Sequence, residues 1–356
     1  MRRTSVDEKV AEIRAQASAA RRAAETAEDG LTRHLVSAGA DTLEAMARSQ
    51  RRRAKAAEAV LVLAANASDV ELRQARLRRA ARRGCDVFLP SWREATVAMP
   101  NVLLRSALFA ARTPTGEALL EEPIASQGDT VVTLTGHPLC DYDRRVFGAC
   151  LNYYRDERPL SDSEDAEWVR VSYWQLAQDL KVAYGANVHR AIRESLIRLN
   201  AAHLRIRVRR QDIPMPHLIE VAFDDGYLGK NASAEHLQGS DLVAFRVLES
   251  MARLFGPEDW SAVSDSALHD YSGLTSWLTS FYSTHAGPYA LAIADVYRYG
   301  GAVCELREFR RRLKVALERL MGDDVPESHR VAEFELDKTK LTVRLTRWAG
   351  NSALAT

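Results

Sequence analysis

Val169-Arg170-Val171, then Ser172-Tyr173-Trp174-Gln175-Leu176-Ala177-Gln178-Asp179-Leu180, then Asn187 to Ala201, then Leu204-Arg205-Ile206-Arg207-Val208-Arg209: these four runs, in this order, decide the fold. The first is a short strand. Ser172 precedes a helical pattern and has Gln175 three residues on, a capping-box spacing that starts a helix burying Leu176 and Leu180. Gly185 marks a turn. The next run places Val188, Ala191, Ile192, Ser195, Leu196 and Leu199 on one helical stripe. The last run alternates. A strand has period two, so Arg205, Arg207 and Arg209 share one face, and Ile206 and Val208 share the other, toward the core. His217 to Phe223 is the expected return strand, with Pro214 and Pro216 in the loop. With a preceding helix over Asp143 to Arg155, the order is helix, strand, helix, turn, helix, hairpin. That is a winged helix, a helix-turn-helix followed by a β-hairpin.

Working outward, the C-terminal third repeats the order. Tyr271 to His285 reads as a helix with Leu274, Trp277, Leu278 and Phe281 inward; Gly287-Pro288 turns the chain. Tyr289 to Tyr299 reads as the next helix, Gly300-Gly301 as its turn, and Cys304 to Met321 as the long helix. Val331 to Leu336 and Leu341 to Leu345 form a hairpin around Asp337-Lys338. Upstream, residues 1–84 are rich in Ala, Arg and Glu and lack proline. They read as two or three helices, broken near Asp29-Gly30 and between Asn66 and Asp69. The expected fold is mostly α with short β-hairpins. Its parts are a helical Ala/Arg-rich region 1–84, a connector with short strands 85–135, winged-helix domains at 136–235 and 236–348, and a tail 349–356.

The second helix of a helix-turn-helix enters the major groove, where base edges are read by long donors. In the first unit the outward candidates are Asn187, His189, Arg190, Arg193 and Arg198; Arg190 and Arg193, three apart, project to one side. In the second they are Arg307, Arg310, Arg311 and Lys314. Asn187 suits adenine and arginine suits guanine. Arg205, Arg207 and Arg209 form an expected wing that grips phosphates. The bland counterparts are a solvated helix face and, for the basic strand, neutralisation by the acidic loop Asp162 to Glu167. Trp168, Trp174, Trp260 and Trp277 read as core. Arg51-Arg52-Arg53 and the cluster from Arg76 to Arg83 read as solvated helix faces, with a DNA contact or a partner-binding helical module as the alternative.

The 356 residues are 46% apolar and 27% charged, ordinary for a globular protein, and the net charge of +1 by itself signals no nucleic-acid partner. Cys85, Cys140, Cys150 and Cys304 have no Cys-x-x-Cys spacing, so neither a zinc site nor a disulfide framework is expected, and free thiols suit a cytoplasmic protein. No leader and no membrane span are expected. Gly229-Lys230 is followed by Asn231, which is not a phosphate-binding P-loop. Tyr153-Tyr154 could be imagined as nicking nucleophiles, but no metal cluster accompanies them. Neither enzyme activity nor a cofactor is expected.

Phe88-Leu89-Pro90-Ser91-Trp92, Ala98-Met99-Pro100-Asn101 and Arg105-Ser106-Ala107-Leu108-Phe109 resemble the start of the common region of TrfA-type plasmid replication initiators. Leu176-Ala177-Gln178-Asp179-Leu180 is similar to that family's first helix-turn-helix helix, and His285-x-x-Pro288-Tyr289 to the link in its second unit. The resemblance runs from about residue 85 to 347. It implies binding to repeated origin sites (iterons) on double-stranded DNA and opening of an adjacent AT-rich segment. It also implies recruitment of host initiator, helicase and sliding clamp, and a homodimer in equilibrium with a monomer. No Gln-Leu-x-Leu-Phe clamp peptide occurs, and for residues 1–84 the resemblance carries nothing over. The alternative is a winged-helix transcriptional repressor without initiator activity.

Overall fold

The computed structural model describes residues 6–27, part of 32–48, 87–90, 92–111, 117–155, 158–160, 168–208, 211–225, 236–256 and 258–348. The helix break between Asn66 and Asp69, the arginine clusters of 51–53 and 76–83, Cys85, the acidic loop 162–167, Arg209 and Gly229-Lys230 lie outside them. The chain divides into two compact units, Met1–Ser91 with Asp156–Pro159, and Trp92–Arg155 with Leu160–Thr356.

In the first unit α1 spans Val6–Thr26 and buries Val10, Ala17 and Ala24, seven residues apart, along one seam. Described residues between 32 and 48 are helical too, with Ala40 and Ala47 buried. Arg21 reaches Asp41 at 3.1 Å and Glu44 at 3.0 Å.

The second unit holds two copies of one arrangement. In the first, α3 (Asp141–Asn152) is followed by β6 (Val169–Ser172), α4 (Tyr173–Asp179), α5 (Ala186–Ala201), β9 (Glu220–Asp224) and β10 (Leu242–Arg246). In the second, α7 (Gly273–Ser283) is followed by β12 (Ala290–Ala292), α8 (Ile293–Tyr299), α9 (Leu306–Arg319), β13 (Val331–Leu336) and β14 (Lys340–Leu345). The sheets match as well: β6-β10-β9 and β12-β14-β13, each with the early strand added to the last strand of the hairpin. In the first module Val146, Phe147, Leu176, Ile192, Leu196, Val243 and Phe245 are buried; in the second, Trp277, Phe281, Leu313, Leu317, Leu341 and Val343 belong to one buried cluster.

The two helix-turn-helix turns close in the same way. After α4, Lys181 N–H donates to Gln178 O and Val182 N–H to Ala177 O, both at 2.9 Å. After α8, Gly301 N–H donates to Arg298 O at 3.1 Å and Ala302 N–H to Tyr297 O at 3.2 Å. This is the Schellman pair, which needs a left-handed residue just past the helix. Gly301 supplies it at φ +63°, where a Cβ would lie 2.6 Å from that of Ala110; Lys181 supplies it at φ 57° despite its side chain. Before α4, Ser172 Oγ accepts from Gln175 N–H at 3.2 Å, but the Gln175 amide turns to Asp179 at 2.9 Å, so only half of the expected capping box forms.

The expectation of a mostly α fold is overturned: helix and strand stand at 44% and 26%, spread over several small sheets. Part of the added strand lies in what reads as a connector, 85–135, and part beyond it. β1 (Thr96–Pro100) pairs antiparallel with β11 (Trp260–Ser264), with α2 (Asn101–Leu104) directly after β1 and α6 (Asp265–His269) directly after β11. β2 (Phe109–Ala110) pairs in parallel with β5 (Leu139–Cys140). β3 (Leu119–Ile124), β4 (Thr130–Gly136), β7 (His203–Val208) and β8 (Gln211–Met215) make a four-stranded sheet. The partners in β1–β11, β2–β5 and β4–β7 lie far apart in sequence, and no local periodicity announces them.

Three further expectations change. The basic strand β7 does not pair with residues 217–223; it lies between β4 and β8, so it belongs to no wing. The first module's hairpin is β9–β10 instead, and β10 lies beyond residue 235, so strand pairing carries that module to Arg246. Residues 289–299 are not one helix, because Ala290–Ala292 pair with β14 before α8 begins. At the end of α7, Arg105 donates to Thr284 Oγ1 at 2.8 Å and to the Thr284 carbonyl, and Arg347 donates to Tyr282 O at 2.8 Å and His285 O at 3.1 Å. Two guanidinium groups thus cap the carbonyl end of α7, where a helix favours cations.

Candidate nucleic-acid interface

The second helix of each pair, α5 and α9, carries the candidate donors. From Tyr173 to His189 and from Ile293 to Phe309 the copies correspond residue for residue: both short helices close on the Schellman turn, and the next helices open on Gly185 and Glu305. Asn187 therefore corresponds to Arg307, and Arg190 to Arg310. Asn187 is exposed, and its amide oxygen accepts from the half-buried Arg190 at 3.3 Å. These two share the outward face at the start of α5.

Other first-module candidates are committed inward. Arg193 Nε donates to Asp225 Oδ2 at 2.9 Å and its guanidinium lies 4.3 Å from the Phe223 ring centre, with Asp225 only 2% exposed. Tyr173 OH donates to the same carboxylate oxygen at 2.7 Å. Arg193 thus ties α5 to the end of β9. Arg198 donates to Asp143 at 2.8–3.2 Å, and the buried Asp143 also accepts from Cys140 N–H at 2.9 Å at the start of α3. His189 is buried, its ring stacked on Tyr173 at 3.6 Å, and burial lowers its pKa. The outward reading of Arg198 and His189 is therefore corrected: amphipathic periodicity does not show which polar residues pair inside.

In α9 the cations stay outside. Arg307, Arg311 and Lys314 are exposed. Arg311 and Arg312 both reach Glu308, at 2.8 Å, and hold its carboxyl at about 2, below the ordinary carboxylate range. Lys314 lies 3.6 Å from Glu318. These are one-turn pairs in full solvent, weak enough for phosphate to compete with them. Arg310 differs: it donates to the carbonyls of Asp337, at 3.0 Å, and of Lys338, pinning the hairpin turn onto the helix.

Arg205 and Arg207 stand on the exposed face of the four-stranded sheet. Asp212 sits in register with Arg207 and 3.7 Å from Arg205, supplying a carboxylate that relieves their repulsion. Trp174 does not join the core as expected; it is 51% exposed at the start of α4, whereas Trp277 is buried. Its position two residues after the Ser172 cap, one residue off the buried Tyr173, is the signal that would have placed it outward.

Tyr154 is buried, and its hydroxyl accepts from Val247 N–H at 3.0 Å. Tyr153 donates to Asp179 at 2.5 Å, and burial with that carboxylate pushes its pKa up, away from the phenolate a nicking step needs. Burial also pushes the Cys140 thiol up to about 11. Among the described residues no group of His, Cys, Asp and Glu could hold a metal ion, and no helix is long and apolar enough to cross a membrane.

Residues 67–225 match the family described as TrfA protein. No curated protein matches the chain. Among solved structures, a selenomethionine crystal structure of domains 2 and 3 of RctB is similar at 12% identity and TM-score 0.43, covering 69% of this chain and 97% of that one. A second crystal structure of the same RctB domains is similar at 12% identity and TM-score 0.42, covering 69% of this chain and 96% of that one.

Proposed function

With residues 67–225 belonging to the TrfA family, we propose that this protein is a plasmid replication initiator that binds repeated sites in an origin through its two helix-turn-helix modules. The observation that carries the reading is the repeated helix pair, closed by the same turn and backed by the same sheet order, whose second copy turns Arg307, Arg311 and Lys314 to solvent. In this reading Asn187 and Arg190 on α5, and Arg307, Arg311 and Lys314 on α9, face the duplex. Arg193 and Arg310 hold those helices to their hairpins and act through position. Arg205 and Arg207 touch backbone only where the DNA path reaches the four-stranded sheet. Strand opening then comes from bending strain and from several bound copies, with no nucleotide chemistry. Host initiator, helicase and sliding clamp are the partners this role calls for, with a homodimer–monomer equilibrium setting the active form.

The test is replication in trans. A plasmid carrying only the candidate origin, with this gene supplied elsewhere, replicates if the reading holds. A protein that binds the repeats but never supports replication is a repressor, and the reading falls.

A further inference from the structure

Four of the large apolar side chains left exposed among the described residues sit on α9 or at its ends: Val303, Leu306, Val315 and Met321. Val303 is 72% exposed and Leu306 46%. They occupy the start of the helix, beside Arg307. Val303 is held on both sides: Ala302 N–H is bonded to Tyr297 O, and the carbonyl of Cys304 accepts from Tyr297 OH at 2.8 Å. The turn before it is fixed by Gly301 against Ala110. A branched apolar side chain is thus presented to water from a rigid turn, at the end of a helix that turns Arg307, Arg311, Arg312 and Lys314 to solvent. Phosphate contacts account for the cations and give no reason for the apolar pair.

The first module offers a contrast. By the residue-for-residue correspondence of the two turns, Ala183 and Ala186 stand where the second module has Val303 and Leu306. The larger apolar groups therefore follow from no requirement of the turn itself.

In the major groove the 5-methyl of thymine is the one apolar group on a base edge, and the N-terminal residues of the second helix are those that reach base edges. We propose that Val303 and Leu306 read thymine methyl groups, making the second module the one that selects T at one or two positions of each site. This rests on the DNA-binding reading above and adds a base and the residues that recognise it. The charge complementarity of Arg307, Arg311 and Lys314 around the pair favours a duplex over an apolar protein partner.

The test uses the full-length protein and a chemical deletion of the methyl. Duplexes enriched by the protein from a random-sequence pool are resynthesised with each thymine replaced in turn by deoxyuridine, which keeps the base pair and removes only the methyl. Binding is measured by fluorescence anisotropy for the unmodified protein, Val303→Ala, Leu306→Ala and, as a control, Arg311→Ala. The expected result is a roughly fourfold loss of affinity at one or two thymines for the unmodified protein. That loss persists in Arg311→Ala, whose overall affinity is lower, and disappears at the same thymine in Val303→Ala or Leu306→Ala. If no thymine is sensitive, or if both alanine variants keep the full sensitivity, the proposal is overturned while duplex binding stands. If no sequence is enriched from the pool, the DNA-binding reading itself has failed. All three side chains are exposed, so loss of folding does not blur the comparison.

Discussion

Replacing Arg193 by methionine separates a structural arginine from one that reads DNA. The change removes the guanidinium facing Asp225, a carboxylate 2% exposed that also accepts from Tyr173 OH at 2.7 Å. Removing one member of a buried pair costs about 3–5 kcal/mol when both are fully desolvated. Arg193 keeps 16% of its side-chain surface, which puts the expected loss at the lower end, about 3 kcal/mol. For a unit of this size that lowers Tm by roughly 6–12 °C. Neutralising the partner as well, in Arg193→Met with Asp225→Asn, removes the stranded charge while leaving an acceptor for Tyr173. It should recover all but about 1 kcal/mol. The assays are thermal and urea denaturation followed by Trp fluorescence, and duplex binding at 15 °C. The double variant should bind like the unmodified protein. A single variant melting within a degree of the unmodified protein, or a stable double variant binding tenfold more weakly, would refute the inward assignment.

Burial lowers His269, His285 and His329 to about 4. The unfolded chain takes up these protons near pH 6.5 and the folded one does not. Their contribution is therefore complete above pH 6.5 and is lost as pH falls toward 4, at about 1–3 kcal/mol per histidine; a flat stability profile from pH 7.5 to 4.5 would contradict this. Gly301→Ala should cost at least 1–2 kcal/mol, about 1 from the left-handed backbone and the rest from the Ala110 contact, whereas Lys181→Gly relieves similar strain and loses only an exposed ion pair with Asp265. Equal urea midpoints for the two would count against the shared turn. Arg310→Ala should speed amide exchange in the Asp337–Lys340 turn and destabilise by about 1 kcal/mol, with no loss confined to one base pair. Arg311→Ala should leave the urea midpoint in place and reduce the slope of log affinity against log salt by about one unit.

How far the sequence reaches is clearest in single elements. Ser172 marked the start of α4, the Leu176/Leu180 and Ile192/Leu196/Leu199 stripes marked α4 and α5, and Asp337-Lys338 marked the last hairpin; each is a signal carried within one or two turns of chain. The strict alternation through Arg205 and Arg207 correctly gave a strand, with Leu204 and Ile206 buried. It could not give the partners, because hydrogen bonding to β4 and β8 depends on where those strands pack and not on the pattern of β7. The same holds for the candidate interface. Helical periodicity separates an inner face from an outer one. It does not say that Arg193 and Arg198 meet Asp225 and Asp143 while Arg311 pairs with Glu308, one turn away in solvent. Local order is set by propensity, capping and the spacing of apolar side chains, all written along the chain. The pairing of β4 with β7 and the choice of Asp225 and Asp143 as partners for Arg193 and Arg198 depend on groups dozens of residues apart, so only the folded chain, which brings them together, decides them.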